Sequence, residues 1–346
     1  MSASPGRMRP PRLPLPAAHV ANALWLGATI LLLLAIAAAA SGPILIPFWR
    51  IPELLFMAPN SDDEKLWHTI LVDIRLPRIL LALAAGGGLA VAGTALQAMF
   101  RNPLAEPGLI GASSGAALAA SISIALLPAL AVPVAAFGGS LGATWLAWRI
   151  GRDHDGARLL LAGIAINALA AGGLALLSHL SGDTTLRSML TWAMGSLSGA
   201  SWPTLGWLLP GLALSSYLTW RQAHALDALL LGEREAYHLG FHLIGLRRRL
   251  VALTALTVAL VVACCGAFAF VGLIAPHIAR RLLGPSHRNL LPGAALTGAL
   301  CLLGADWIAR IAVSPAELPI GAVLSLLGAP FFLYLLFSAP SRSALR

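Results

Sequence analysis

The chain has 346 residues, 58% of them hydrophobic and only 11% charged, against roughly 25% charged in ordinary soluble domains. That composition excludes a soluble globular protein. One helix crosses a bilayer in about 20 apolar residues, so ten crossings would use about 200 and leave no room for a large domain outside the membrane. The net charge of +9 comes from basic residues that flank apolar stretches rather than forming a stripe, so it bears on topology and not on nucleic acid. Cys264, Cys265 and Cys301 lie inside apolar runs and suggest no disulfide framework.

A tail over 1–21 carries Arg7, Arg9 and Arg12 and leads into the apolar run Trp25 to Ala40. That run reads as a first span rather than a cleaved signal, being long for a signal core and followed by many further spans. Gly, Pro and charge clusters punctuate the rest. They predict membrane helices over 22–41, 79–99, 108–127, 133–149, 158–179, 203–220, 249–266, 268–283, 290–311 and 319–338, with a tail at 339–346. The expected class is an all-α integral membrane protein, one ten-helix domain over 22–338. The stretch 185–198 is apolar on one side and too short to span, which suits an interfacial or re-entrant helix. An even number of spans puts both termini on one side. Seventeen of the basic residues fall there, and six, Arg50, Lys65, Arg75, Arg78, Arg187 and Arg310, fall opposite. The positive-inside rule therefore predicts cytoplasmic termini.

Little in the chain points to catalysis. Lys65, the single lysine, sits in the acidic run Asp62-Asp63-Glu64-Lys65, so a G-x-x-x-x-G-K-[ST] phosphate loop cannot form and this chain is not expected to bind ATP. No H-E-x-x-H or C-x-x-C occurs, the nine histidines are dispersed, and neither a metal site nor a convergent catalytic set is expected. A proton- or sodium-coupled carrier would show buried carboxylates along its path. Here Asp306 stands nearly alone, four residues before Arg310, as a same-helix ion pair would.

Three segments carry more information. Arg75-Leu-Pro-Arg78 opens the second span, and Gly86, Gly87, Gly88 and Gly93 follow on it. Such glycines let neighbouring backbones approach, which predicts a central helix. Gln97, Asn102 and Pro103 close it, either at a pathway or simply as a capped end. Residues 222–247 read as short helix, Gly break, short helix. They are too polar to span and too apolar for a loose linker, fitting either a docking site for another protein or packing beneath the membrane.

Taken in order, these segments resemble the permease subunits of type II ABC importers for iron-siderophores, haem and vitamin B12. The matching stretches are Arg75 to Arg78, Gln97 to Gly108, Gly232 to Gly240, Phe270 to His277, His287-Arg288, Ala305-Asp306, Glu317 to Gly321 and Gly328 to Phe331. They cover nearly the whole chain after about residue 70. The resemblance implies a ten-helix inner-membrane subunit paired with a second copy, two cytoplasmic ATPases that bind ATP and Mg, and one periplasmic binding protein. The chain would then bind no cofactor and catalyse no reaction.

By resemblance, Leu231, Gly232, Glu233, Glu235, Ala236, Tyr237, Leu239 and Gly240 form the coupling helix seated in the ATPase. Gln97, Asn102 and Leu104 match the cytoplasmic gate and path. Gly172 and Gly195, around the fifth span and its short outer helix at 185–198, are candidates for the moving outer gate. Arg75, Arg78 and Arg310 match outer-face arginines that pair with glutamates of the binding protein, the alternative being anchorage at the headgroups. The stretches Arg187 to Trp202, Gly284 to Arg288 and Ser314 to Leu318 are most similar to haem permeases, with ferric siderophore and cobalamin as alternatives. A proton-coupled carrier is the rival from another class.

Overall fold

The computed structural model describes residues 16–338 except 58, 60, 128–129 and 152–155, and among these the chain is helical without strands. Helix α1 (Ala17–Ala40) is followed by the short α2 (Ile51–Phe56) and α3 (Asp62–Thr69). A π-helical stretch then runs α3 directly into α4 (Leu76–Met99). Next come α5 (Ala112–Leu126), α6 (Val132–Gly151), α7 (Gly156–Leu180), the short α8 (Asp183–Ala193) and α9 (Trp202–Trp220). Two short helices, α10 (Ala223–Leu231) and α11 (Glu233–His238), precede α12 (Leu243–Cys265), α13 (Val271–Leu283), α14 (His287–Ile311) and α15 (Ile320–Ser338). The end bearing α2, α3 and α8 is called outer, and the end bearing α10 and α11 inner.

Each predicted membrane segment holds one helix. Among the described residues, five stretches are long and apolar enough to cross a membrane by length and composition alone: Ala17–Ala40, Asp62–Met99, Ala157–Leu180, Leu243–Cys265 and His287–Ile311. Local chemistry sets several starts. Ser61 accepts from Glu64 N at 3.2 Å to begin α3, and His242 Nδ1 from Gly245 N at 3.1 Å to begin α12. Pro203 in the first turn of α9 gives up only an amide that would have no helical partner.

Helix α4 is the core of the molecule, buried along almost its whole length against α14, α13, α12 and α9. Its glycines make this possible. A Cβ on Gly86 would lie 2.3 Å from the Gly298 carbonyl oxygen, and one on Gly93 only 1.9 Å from that of Gly272. Gly93→Ala is therefore expected to destabilise the fold by about 1–3 kcal/mol or more through overpacking against unyielding backbone. Thermal unfolding in detergent checks this, with Gly206→Ala, whose methyl would meet nothing within 4 Å, as the neutral control.

Helix α13 departs from the expected span at 268–283. It begins only at Val271, and its 13 residues reach about 20 Å, short of a bilayer core. Phe270, at φ +68°, turns the chain into it in the left-handed region that non-glycine residues rarely adopt. The irregular stretch is satisfied from inside the protein, since Glu106 Oε1 accepts from Phe270 N at 2.8 Å. The inner elements are tied similarly. Asp227 on α10 accepts from His287 N at 2.8 Å and contacts His287 Nδ1 at 2.6 Å. Burial alone would raise the Asp227 pKa, but its hydrogen bonds and pairing with His287 hold it below the usual carboxylate range.

Candidate functional site

At the outer end the loops and helix ends enclose a charge cluster. Arg78 Nε donates to Asp306 Oδ1 at 2.8 Å, while its two terminal nitrogens grip Glu317 at 3.0 Å each. Arg310 Nε donates to the other oxygen of Asp306 at 3.1 Å and reaches the Ala38 carbonyl at 3.2 Å. Arg75 donates to the carbonyls of Ala39, at 2.6 Å, and Ile44. The cluster thus clamps α4, α14, the loop before α15 and the C-terminal end of α1 together.

Arg75, Arg78 and Arg310, matched by resemblance to docking arginines, thus carry internal bonds as well. All three are at most 7% exposed, Asp306 is 0% exposed, and the guanidiniums are engaged within the chain. Desolvated arginines are stable only when paired, so a protein that buries three of them must supply its own acceptors. Together with Glu317 the three arginines line a cavity of about 220 Å³ at the outer end. Glu317, with a side chain 40% exposed, is the most open charge of the cluster.

Near the outer end, Gly195 occupies a turn with φ +72° after α8, where a Cβ would lie 2.7 Å from the Phe268 ring. The turn is stitched to its neighbours, with Ser196 N donating to Cys265 O at 2.8 Å and Gly321 N to Met194 O at 3.0 Å. Gly172 sits apart from it on an open face of α7 that also exposes Leu169 and Leu176.

The inner end brings together two segments that lie far apart in the chain. Gln97, buried, accepts from Arg280 Nη2 at 3.2 Å through Oε1. Just beyond α4, Asn102 Oδ1 accepts from Leu104 N at 2.9 Å, a local side-chain turn that holds the loop. Leu104 is exposed. A cavity of about 680 Å³ is lined by Met99, Phe100, Arg101 and Asn102, by Leu231 to Glu235, and by Ala157 and Leu160 of α7. Gly232, at φ +135°, makes the break between α10 and α11, and Gly240, at φ +88°, ends the insert. Ala236 is fully buried, whereas Leu231, Tyr237 and Leu239 are 67%, 69% and 61% exposed. Glu235 is exposed beside them.

Glu233 faces inward instead. Its Oε1 meets Arg247 Nη2 at 2.5 Å and Arg101 Nη2 at 3.7 Å. It therefore joins α11 to the start of α12 and to the end of α4, where Arg101 is itself in the left-handed region at φ +48°. Sequence reasoning missed Arg101 and Arg247 as partners, and gave Glu106 no role. The only local hint for Glu106 was a carboxylate between two prolines of an otherwise apolar stretch.

Among the described residues the chain is thus a helical bundle packed on the glycines of α4, with several helices apolar enough to cross a membrane, the build of a helical membrane protein. The chain belongs to the FecCD transport family, whose model matches residues 30–338. It is 44% identical over 316 residues to the hemin transport system permease protein of Yersinia pestis, covering 89% of this chain and 92% of that one. It is also 43% identical over 291 residues to the vitamin B12 import system permease protein of Escherichia coli O17:K52:H18 (strain UMN026 / ExPEC), covering 82% and 88%. A solved structure described as an inward-facing conformation of a metal-chelate type ABC transporter superposes with a TM-score of 0.81 at 31% identity, over 92% of this chain and 99% of that one.

Proposed function

We propose that this chain is the ten-span permease subunit of an ATP-driven importer that moves haem from a periplasmic binding protein into the cytoplasm. The reading is carried by the 44% identity to a hemin permease along nearly the full length of both chains. Two copies would enclose the path in a bacterial inner membrane, with both termini cytoplasmic, as the charge asymmetry favours. Two separate ATPases would drive alternating access from the inner face. The apolar, partly open face of α7 around Gly172 suits a boundary with the second copy, and the turn at Gly195 suits an outer gate hinged on α8. The binding protein would dock over the braced mouth, whose arginines hold its shape.

The deciding experiment is uptake into proteoliposomes containing the permease, its ATPase and its binding protein. ATP-dependent, vanadate-sensitive accumulation of hemin is expected, with little cobalamin or ferric siderophore. Uptake driven by a proton gradient without the ATPase would overturn the reading in favour of a secondary carrier, and selective uptake of cobalamin would overturn the cargo alone.

Asn102 and Leu104 are placed at the inner constriction in this scheme. Single cysteines at either position, in a background lacking Cys264, Cys265 and Cys301, are expected to change thiol accessibility between the resting and ATP-trapped transporter. Labelling that is the same in both states would remove them from the gate.

A further inference from the structure

The groove between α6 and α12 belongs neither to the mouth nor to the inner cavity. It holds about 420 Å³ and is lined by Trp145 and Trp148 of α6 and by Val251, Ala252 and Ala255 of α12, with Arg248 also on its wall. Arg248 lies in the first turns of α12, and so toward the inner end of the groove. One turn beyond Trp145, the Arg149 guanidinium carbon sits 5.7 Å from that indole ring, within reach of a cation–π contact. Both arginines are exposed, and among the described residues neither meets a carboxylate. The adjacent Arg247 differs, being held by Glu233. Asp153 and Asp155, outside the described residues, are offset in sequence by Arg152 and Arg158.

Apolar walls, with Arg248 on one of them and Arg149 beside Trp145, neither meeting a carboxylate among the described residues, call for a ligand that is apolar along its length and anionic at one end. Tryptophan at this depth belongs to the membrane interface, and basic pockets between membrane helices suit lipid phosphate. Arginine offers forked donors matched to phosphate oxygens. We infer that the α6–α12 groove is a binding site for one anionic phospholipid of the inner leaflet. Its acyl chain lies along Trp145, Trp148 and Ala252, and its phosphate between Arg149 and Arg248. A soluble phosphate would gain nothing from the apolar wall, whereas a lipid uses both parts. The inference rests on the membrane reading and is independent of the cargo.

The test uses the purified full chain in detergent, with bound lipid measured by mass spectrometry and the unfolding midpoint followed as lipid is added. Phosphatidylglycerol is expected to be retained and to raise the midpoint, and phosphatidylcholine and glycerol 3-phosphate are not. Arg248→Gln and Arg149→Gln should each weaken phosphatidylglycerol binding about fivefold. Ala252→Phe, which fills the groove and keeps both charges, should also reduce retention. Should that variant misfold, the two arginine variants decide alone. Equal stabilisation by phosphatidylcholine or glycerol 3-phosphate, or unchanged binding in both arginine variants, would overturn the site. So would an Arg248→Gln chain that keeps its lipid but loses a co-expressed ATPase, because Arg248 would then belong to a protein interface. Normal hemin uptake without selective lipid retention would sink this site and leave the importer intact.

Discussion

Replacing Asp306 with Ala is expected to destabilise the folded chain by about 3–5 kcal/mol, the range found when one partner of a buried ion pair is removed. Asp306 is 0% exposed and holds Arg78 and Arg310 at 2.8 and 3.1 Å. After the substitution Arg78 keeps Glu317, but Arg310 is left with backbone carbonyls and no carboxylate. Asp306→Asn, which keeps the shape and one acceptor, should fall between the two. The check is the unfolding midpoint of the purified chain, compared with Glu317→Gln at the more open rim. A loss for Asp306→Ala within the roughly 0.5 kcal/mol typical of surface changes would show that the cluster does not brace the mouth. Arg78→Glu would place a third carboxylate against Asp306 and Glu317, so loss of binding-protein affinity in that variant would report a broken mouth rather than a lost docking contact.

The cluster also shows where reading the chain reaches its limit. The Asp306–Arg310 pair was legible because one helical turn separates its members, and periodicity is a local signal. Arg78 and Glu317 are 239 residues apart, and nothing local to either names the other. The arginines on the sparsely basic side therefore carry no local sign of the partners that tertiary packing gives them. Glu106 and Phe270, 164 residues apart, were hidden for the same reason, and with them the late start of α13. The stretch before α13 is as apolar as a helix would be. What breaks it is the left-handed turn at Phe270 and the carboxylate that accepts its amide, both set by the fold. By contrast, the glycines of α4 and the break at Gly232 were legible, because missing side chains are themselves the signal for close approach and for φ values that other residues avoid.

Tyr237→Ala and Glu233→Ala are expected to abolish coupled transport in two distinguishable ways. Tyr237 is 69% exposed on α11, next to the exposed Leu231 and Leu239, and large apolar groups are costly on an aqueous face unless a partner covers them. If that partner is the ATPase, Tyr237 is an anchor. Truncating an interface tyrosine of this kind costs on the order of 2 kcal/mol, so assembly with the ATPase should weaken about thirtyfold. Glu233 faces the other way, into Arg247 and Arg101, and Arg101 borders the same cavity as Asn102. Removing its carboxylate cuts the charged link between α11 and the inner end of α4 while leaving the outward face intact. Glu233→Ala should therefore keep the ATPase bound and hydrolysing but lose hemin uptake, and Glu233→Gln should restore part of it through the remaining hydrogen-bond acceptor. Affinity for the ATPase, hydrolysis rate and hemin uptake, measured on the same reconstituted preparations, separate the two. Weakened assembly in Glu233→Ala would place that residue at the ATPase surface, and full uptake in both variants would remove α11 from the coupling route.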